Sequence, residues 1–110
     1  MNLRKELNAA AKAATESWVA ANGKEDFGTC GSAVVLVAFG RKRKLKELFE
    51  AEHILGMSWD SGSKKSYTIS YDFERFTQNC DYYNHVARAV QDRLQQLYPE
   101  LEIKIHSWID

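Results

Sequence analysis

One uninterrupted apolar run, Ala33–Phe39, limits the fold of this 110-residue chain more than any other feature. The run is rich in β-branched residues and is closed by Gly40. A strand without polar alternation is typical of a central position in a sheet with both faces covered. Crossing a bilayer would take about 20 apolar residues, so the run is too short for a membrane span. It therefore predicts a buried central strand in a globular domain.

Apolar residues at three- and four-residue spacing predict three helices around this strand. The first covers Leu3–Ala21, with Asn22-Gly23 as its stop signal. The second is short, begins in the segment 41–46 and ends near Gly56. The third covers Asp81–Tyr98, is capped by Thr77 or Asn79, and ends at Pro99. Its predicted buried stripe consists of Tyr83, Val86, Val90, Leu94 and Leu97.

Three further strands follow from alternation and turn signals. Met57-Ser58-Trp59 and the stretch from Ser66 to Phe73 flank a turn-rich tip, 60–64, which predicts a hairpin. In the second arm the core-facing residues are Tyr67, Ile69, Tyr71 and Phe73. The last strand, Leu101–Ile109, alternates as well. Its inward set is Leu101, Ile103, Ile105 and Ile109, and its outward set is Glu102, Lys104, His106 and Trp108.

The element order α-β-α-β-β-α-β predicts a single α+β domain over residues 1–110. Three helices are expected to pack on a mostly antiparallel four-stranded sheet. The amphipathic N-terminal segment lacks the uncharged apolar centre of a secretory signal. Cys30 and Cys80 are therefore interpreted as reduced thiols. Together these features predict a soluble protein of the cytoplasm, with no membrane partner.

The charge balance and the spacing of the Cys, His and Gly residues argue against nucleic-acid binding, metal binding and catalysis. Fifteen Lys and Arg balance fifteen Asp and Glu, so the basic excess typical of a nucleic-acid binder is absent. The Cys and His residues do not stand at a recognised metal-ligand spacing. His85 is expected to point away from Cys80, and the glycines at 28 and 31 precede a strand rather than a helix. We expect no catalytic residues, no metal and no cofactor, and hence no enzyme.

Two groups of residues are the candidates for binding a partner. The first is a run of five cations, Arg41, Lys42, Arg43, Lys44 and Lys46, at the start of a helix, where the helix dipole disfavours positive charge. It is either a solvated turn or a docking site for an anionic partner. The second group contains aromatic side chains outside the apolar stripes, Trp59, Tyr82, His106 and Trp108. These are either covered by a helix or form an interface, and a homodimer remains open.

Three stretches resemble a group of short proteins encoded by tailed bacteriophages. They are Cys30-Gly31-Ser32-Ala33-Val34-Val35, the helical segment Tyr83–Val90 with Ala87-Arg88-Ala89 at its centre, and the terminal Ser107-Trp108-Ile109-Asp110. Ser32 and Val34 stand where aromatic residues are expected in that group. No biochemical activity is assigned to the group, so it supplies no catalytic residues. The resemblance implies a phage accessory protein that acts in the cytoplasm of a bacterial host.

The sequence therefore predicts a small non-catalytic protein-binding module. Its expected partner is a host bacterial protein or complex, for example a CRISPR or other defence complex, which it inhibits or redirects. The balanced charge favours this interpretation, because protein interfaces need local complementarity and no net field. The alternative is an RNA- or DNA-binding accessory protein that uses the basic segment 41–46.

Overall fold

A computed structural model of the protein describes residues 2–25, 28–61 and 64–110. These ranges contain three helices and four strands in the order α-β-α-β-β-α-β, which confirms the predicted α+β class. The elements are α1 (Leu3–Asn22), β1 (Gly31–Ala38), α2 (Arg43–Ala51), β2 (Leu55–Ser61), β3 (Lys64–Ile69), α3 (Cys80–Leu97) and β4 (Glu102–Ile109).

The four strands form one antiparallel sheet in the order β2-β3-β1-β4. The apolar strand β1 lies in the interior of the sheet, as its sequence predicts. It pairs with β4 along its whole length, from Gly31 opposite Ile109 to Ala38 opposite Glu102. The predicted hairpin is formed by β2 and β3. Its tip residues Gly62 and Ser63 lie outside the described residues.

The prediction that both faces of β1 are covered is wrong. Burial alternates along the strand: Ala33, Val35 and Val37 are buried, whereas Val34 and Leu36 are only half-buried. The reason is the arrangement of the helices, because α3 packs on β1 and β4 while α1 packs on α3. The second face of the sheet therefore holds apolar side chains that the described helices do not cover. We call this surface the open face.

Capping residues explain where α3 begins and where α1 ends. Asn79 Oδ1 accepts hydrogen bonds from the backbone N–H groups of Asp81 (2.7 Å) and Tyr82 (3.1 Å), so Asn79 caps α3. Thr77 instead accepts a hydrogen bond from the N–H of Asn79. Helix α1 stops at Gly23, whose φ of 74° lies in the left-handed region that favours glycine.

Helix α2 is shorter than its sequence predicts. It ends at Ala51, and the expected continuation to near Gly56 is wrong because the chain reverses at His53, which has a φ of 56°. Ile54 then enters the core and Leu55 begins β2. Two contacts to α1 hold this reversal: the Leu3 N–H donates to the Glu52 carboxylate at 3.0 Å, and the Arg4 guanidinium donates to the His53 carbonyl.

The C-terminal part of β4 extends beyond the helical layer. Leu101 and Ile103 are buried as predicted, but the prediction that Ile109 faces the core is wrong, since 67% of its surface is exposed. The first residue of α3, Cys80, already lies at Trp108, where its thiol contacts the Trp108 carbonyl oxygen at 3.5 Å. Because α3 begins level with Trp108, it does not extend over Ile109, the next residue of β4.

None of the helices in the described ranges is long and apolar enough to cross a membrane.

Candidate partner-binding surface

Three of the aromatic residues proposed as partner-binding side chains meet on the open face. The rings of Trp59 and His106 lie 4.8 Å apart in an edge-on arrangement, and those of His106 and Trp108 lie 5.7 Å apart. Trp59 belongs to β2, and the other two residues belong to β4. We call Trp59, His106 and Trp108 the aromatic cluster.

The alternation of β4 accounts for two members of the cluster. Residues two apart in a strand project to the same face. His106 and Trp108 therefore share the side opposite to buried Ile103. Their cross-strand neighbours on β1 are Val34 and Ser32, which are half-buried residues of the open face.

A β-bulge in β2 accounts for the third member. Leu55 pairs with Ile69, but Ser58 pairs with Tyr67, so β2 contains one extra residue between these two pairs. In a regular strand Trp59, four positions after Leu55, would project to the same side as Leu55, which packs against the core. The extra residue reverses the alternation and turns Trp59 to the open face. The sequence pattern does not predict this bulge, although Gly56 within the strand is a local signal for one.

A pocket of about 340 Å³ lies beside the Trp59 and His106 rings. Its apolar residues are Leu36 and Ala38, and the charged pair Glu102 and Lys104, 3.5 Å apart, lies at its edge. This volume falls in the range of small-ligand pockets in proteins. The pocket can hold one apolar or aromatic side chain with a polar end. Its lining residues are Leu36, Ala38, Trp59, Ser66, Glu102, Lys104 and His106.

The basic segment, Arg41–Lys44 with Lys46, surrounds the beginning of α2. Arg41, Lys42, Arg43 and Lys44 are exposed. Lys42 occupies the N-cap position without a side-chain hydrogen bond, and the first turn of α2 contains no acidic residue. Among the described residues, the ion pairs do not involve positions 41–44. The segment therefore places positive charge at a helix N-terminus, where the dipole disfavours it, and the acidic side chains beside it are Glu47 and Glu50, which line the same hollow as Lys42 and Arg43.

Lys65 joins the basic segment in space. The ammonium groups of Lys46 and Lys65 lie 5.2 Å and 5.8 Å from the centre of the Tyr67 ring. Both distances are within the range of cation–π attraction. The Tyr67 ring therefore contacts one cation from α2 and one from the hairpin.

The basic segment and the aromatic cluster adjoin. A second hollow, of about 420 Å³, is lined by residues that include Lys42, Lys65, Ala38 and Glu102. Ala38 and Glu102 also line the aromatic pocket. The two groups that the sequence singled out separately are therefore parts of one surface.

Tyr82 is not part of this surface, and its assignment as a partner-binding residue is wrong. Its side chain is fully buried, 0% exposed, in line with Val86, Val90 and Leu94 on the core side of α3. The phenol donates a hydrogen bond to the Glu74 carbonyl at 2.6 Å and accepts one from the Thr15 hydroxyl at 2.8 Å. The four-residue spacing from Tyr82 to Leu94 is the signal that identifies it as a core residue.

The groups considered for nucleophilic chemistry are separated. Cys80 contacts the Trp108 carbonyl, whereas His85 Nε2 lies 2.8 Å from the Ser17 hydroxyl oxygen. The Ser17 hydroxyl itself donates to the Ala14 carbonyl at 2.9 Å, so His85 is the donor to Ser17. An imidazole in that role does not take a proton from the serine. Within the described ranges, His, Cys, Asp and Glu do not form a group of three that could hold a metal ion.

No protein-family model matches the sequence, no curated protein matches it, and no solved structure matches its fold.

Proposed function

We propose that this protein is a non-catalytic protein-binding module whose binding surface is the open face. The observation that carries the proposal is the aromatic cluster beside its pocket. Tryptophan is enriched among the residues that dominate binding energy at protein interfaces, where it fills or lines a central pocket. An apolar side chain of the partner enters the pocket, and the charged residues at its edge fix the orientation.

The charge distribution of the surface supports a protein partner. Glu102 and Lys104 stand at the edge of the pocket, and the basic segment adjoins it. Mixed charges around an apolar centre are the usual arrangement of a protein interface. The five cations of the segment then contact an acidic area of the partner, which raises the association rate.

The partner is a protein or protein complex of a bacterial host, and binding inhibits or redirects it. This part of the proposal depends on the resemblance to short phage proteins described above. A defence complex such as a CRISPR effector is one partner of this kind.

Affinity capture from a bacterial lysate tests the proposal. The tagged wild-type protein is compared with Trp59→Ala and Trp108→Ala, and with Leu48→Ala as a matched control. Leu48 is 40% exposed, similar to Trp108 at 39%, but lies on α2. We expect one host protein in near-stoichiometric yield with wild type and Leu48→Ala, and its loss with either tryptophan variant. Capture that is equal for all four proteins contradicts the proposal.

The alternative is a nucleic-acid binder that uses the basic segment. The convergence of Lys46 and Lys65 on Tyr67 favours it, because cations beside an aromatic ring suit a phosphate backbone and a stacked base. A polyanion column separates the two functions. A nucleic-acid binder is retained and elutes steeply with salt. A protein binder passes through and still captures its host partner.

A further inference from the structure

The outer edge of β4 carries a row of unpaired backbone groups. The Asp110 N–H donates to the Cys30 carbonyl at 3.0 Å, one position beyond the pair Gly31 and Ile109. In an antiparallel pair, alternate residues direct both backbone groups to the partner strand. The even-numbered residues of β4 therefore face β1. The odd-numbered residues direct their N–H and C=O groups away from the sheet.

Two glutamines of α3 close the first part of this edge. Gln95 Nε2 donates to the Leu101 carbonyl at 3.0 Å, and Gln91 Nε2 donates to the Ile103 carbonyl, also at 3.0 Å. Beyond them, within the part of the chain that the structure describes, the outward groups of the segment 105–109 receive no such cap. The uncapped edge is therefore five residues long and centred on Ser107.

The opposite edge of the sheet differs from this one. Strand β2 contains the bulge, with Gly56 inside it, and bulges prevent edge-to-edge pairing. Strand β4 keeps one regular register with β1 over all its eight residues. Proline, bulge and extreme shortness, which usually protect an edge, are absent from β4. It is a template for a further strand.

We propose that a second copy of this chain pairs with β4, antiparallel and about a twofold axis at Ser107. The two four-stranded sheets then form one sheet of eight strands. The axis follows from the uncapped segment, because a twofold at its centre uses all its outward groups. The partner strand then ends where Gln91 and Gln95 begin to cover the edge.

The side chains of the segment are complementary to themselves in this register. Ile105 of one copy lies opposite Ile109 of the other, and Lys104 lies opposite Asp110. His106 lies opposite Trp108 on the open face. Each of these pairs occurs twice, and cross-strand apolar, aromatic and opposite-charge pairs all stabilise a sheet. Pairing also covers Ile109 and Trp108, two exposed large hydrophobic residues. An unrelated strand would not be expected to match both the charges and the apolar positions.

Sedimentation equilibrium of the wild type, Ser107→Pro and Ser107→Ala tests the dimer. The N–H of Ser107 points away from β1, so proline at this position removes no hydrogen bond within one copy. It removes the central hydrogen bonds of the dimer. We expect a concentration-dependent dimer for wild type and Ser107→Ala. The dissociation constant of Ser107→Pro should rise about tenfold or more.

Two further measurements keep the result interpretable if Ser107→Pro does not fold. Ile109→Lys changes a side chain that is exposed in one copy, so it should fold and still weaken the dimer. Hydrogen exchange of the wild type should show that the amides of Ile105, Ser107 and Ile109 become protected as the protein concentration rises. A wild type that stays monomeric overturns the proposal. A dimer that persists in a folded Ser107→Pro or Ile109→Lys variant also overturns it. Trp59→Ala should dimerise normally, which separates this interface from the host-binding function.

Discussion

The indole of Trp59 and the imidazole of His106 lie 4.8 Å apart, although they belong to the two opposite edge strands of the sheet. Strands β3 and β1 separate them, so the contact spans the width of the open face. The large size of the indole makes this reach feasible, and the bulge in β2 directs it to this side. The contact joins two residues that are 47 positions apart in sequence and forms one wall of the pocket.

Deletion of Gly56 and Met57 together should dismantle the aromatic cluster. Trp59 then stands two positions after Leu55, so regular alternation turns it to the helical side, where the core has no space for it. We expect a loss of about 1–3 kcal/mol in the free energy of unfolding, measured in urea, because the core is overpacked. Host-protein capture should be lost as well. Deletion of Met57 alone is the control: it removes the bulge but keeps Trp59 opposite Ser66 on the open face, so it should retain both. A double deletion that still binds its partner would show that the alternation of β2 does not position Trp59.

Tyr82→Phe should destabilise the fold without changing its surface. The Thr15 hydroxyl loses its partner in a buried place, and the Glu74 carbonyl loses its partner in a partly buried one. An unsatisfied buried polar group costs about 1–3 kcal/mol, and urea denaturation measures the sum. The double variant Thr15→Val/Tyr82→Phe should recover part of the loss, since it removes the hydroxyl that is left unpaired. Partner capture by folded Tyr82→Phe should equal that of the wild type, and reduced capture would return Tyr82 to the binding surface.

The fold should lose stability as the pH rises above 10. Burial raises the pKa of Tyr71 from 10.0 to about 12, and Arg75 offsets part of the rise. Burial also raises the pKa of Tyr82 and of Tyr98. Above pH 10 the unfolded chain releases the phenolic protons that the folded chain retains, so the stability falls with pH. For Tyr71 the slope approaches about 1.4 kcal/mol per pH unit between its two pKa values, and Tyr82 and Tyr98 act in the same direction.

Tyr71→Phe provides the control for this pH dependence. The variant lacks one of the three phenols, so its unfolding free energy should decline less steeply between pH 10 and 12 than that of the wild type. Equal slopes for the two proteins would show that Tyr71 ionises with its ordinary pKa in the folded state.

Reversal of all five charges in the basic segment to glutamate should leave the fold intact. The residues at 41–44 are exposed, and acidic groups at a helix N-terminus gain about 0.3–1 kcal/mol each from the helix dipole. The melting temperature should therefore stay equal or rise, whereas the affinity for the host partner should fall. Reversal of the exposed Lys5 and Lys12 on α1 is the charge control. An unchanged binding isotherm for the folded five-fold variant would remove the segment from the interface.

Cysteine substitution tests the non-catalytic part of the proposed function. Cys30→Ala should leave partner binding unchanged, because the side chain is exposed and lies outside the aromatic cluster. Cys80→Ala should also bind, with a modest loss of stability from the buried thiol. Thermal denaturation and a binding isotherm for each variant make the check. A folded variant that no longer acts on its partner would point to thiol chemistry.

The sequence predicts well the features that depend only on residues close together in the chain. The order of the elements, the limits of α1 and the hairpin all depend on local spacing and turn signals. The cap of α3, Asn79, is one of the two residues that the sequence offers for it. The prediction of β1 as a central strand also holds, because an unbroken apolar run has few other places in a sheet. The two misassigned residues lie near the ends of elements: Tyr82 is in the first turn of α3, and Ile109 is at the end of β4, beyond the helix. At such positions, a shift of one residue in the limits of an element changes whether a side chain is buried.

By itself, the sequence determined that this chain forms three helices and four strands around one apolar strand, since periodicity is a local property. Only the tertiary structure decided which face of the sheet the helices cover, because that choice depends on how α1 and α3 pack. It also decided that Trp59 projects to the open face, that Lys46 and Lys65 both contact the Tyr67 ring, and how long the uncapped edge of β4 is. Each of these depends on register and on contacts between residues far apart in the chain, which no local pattern encodes.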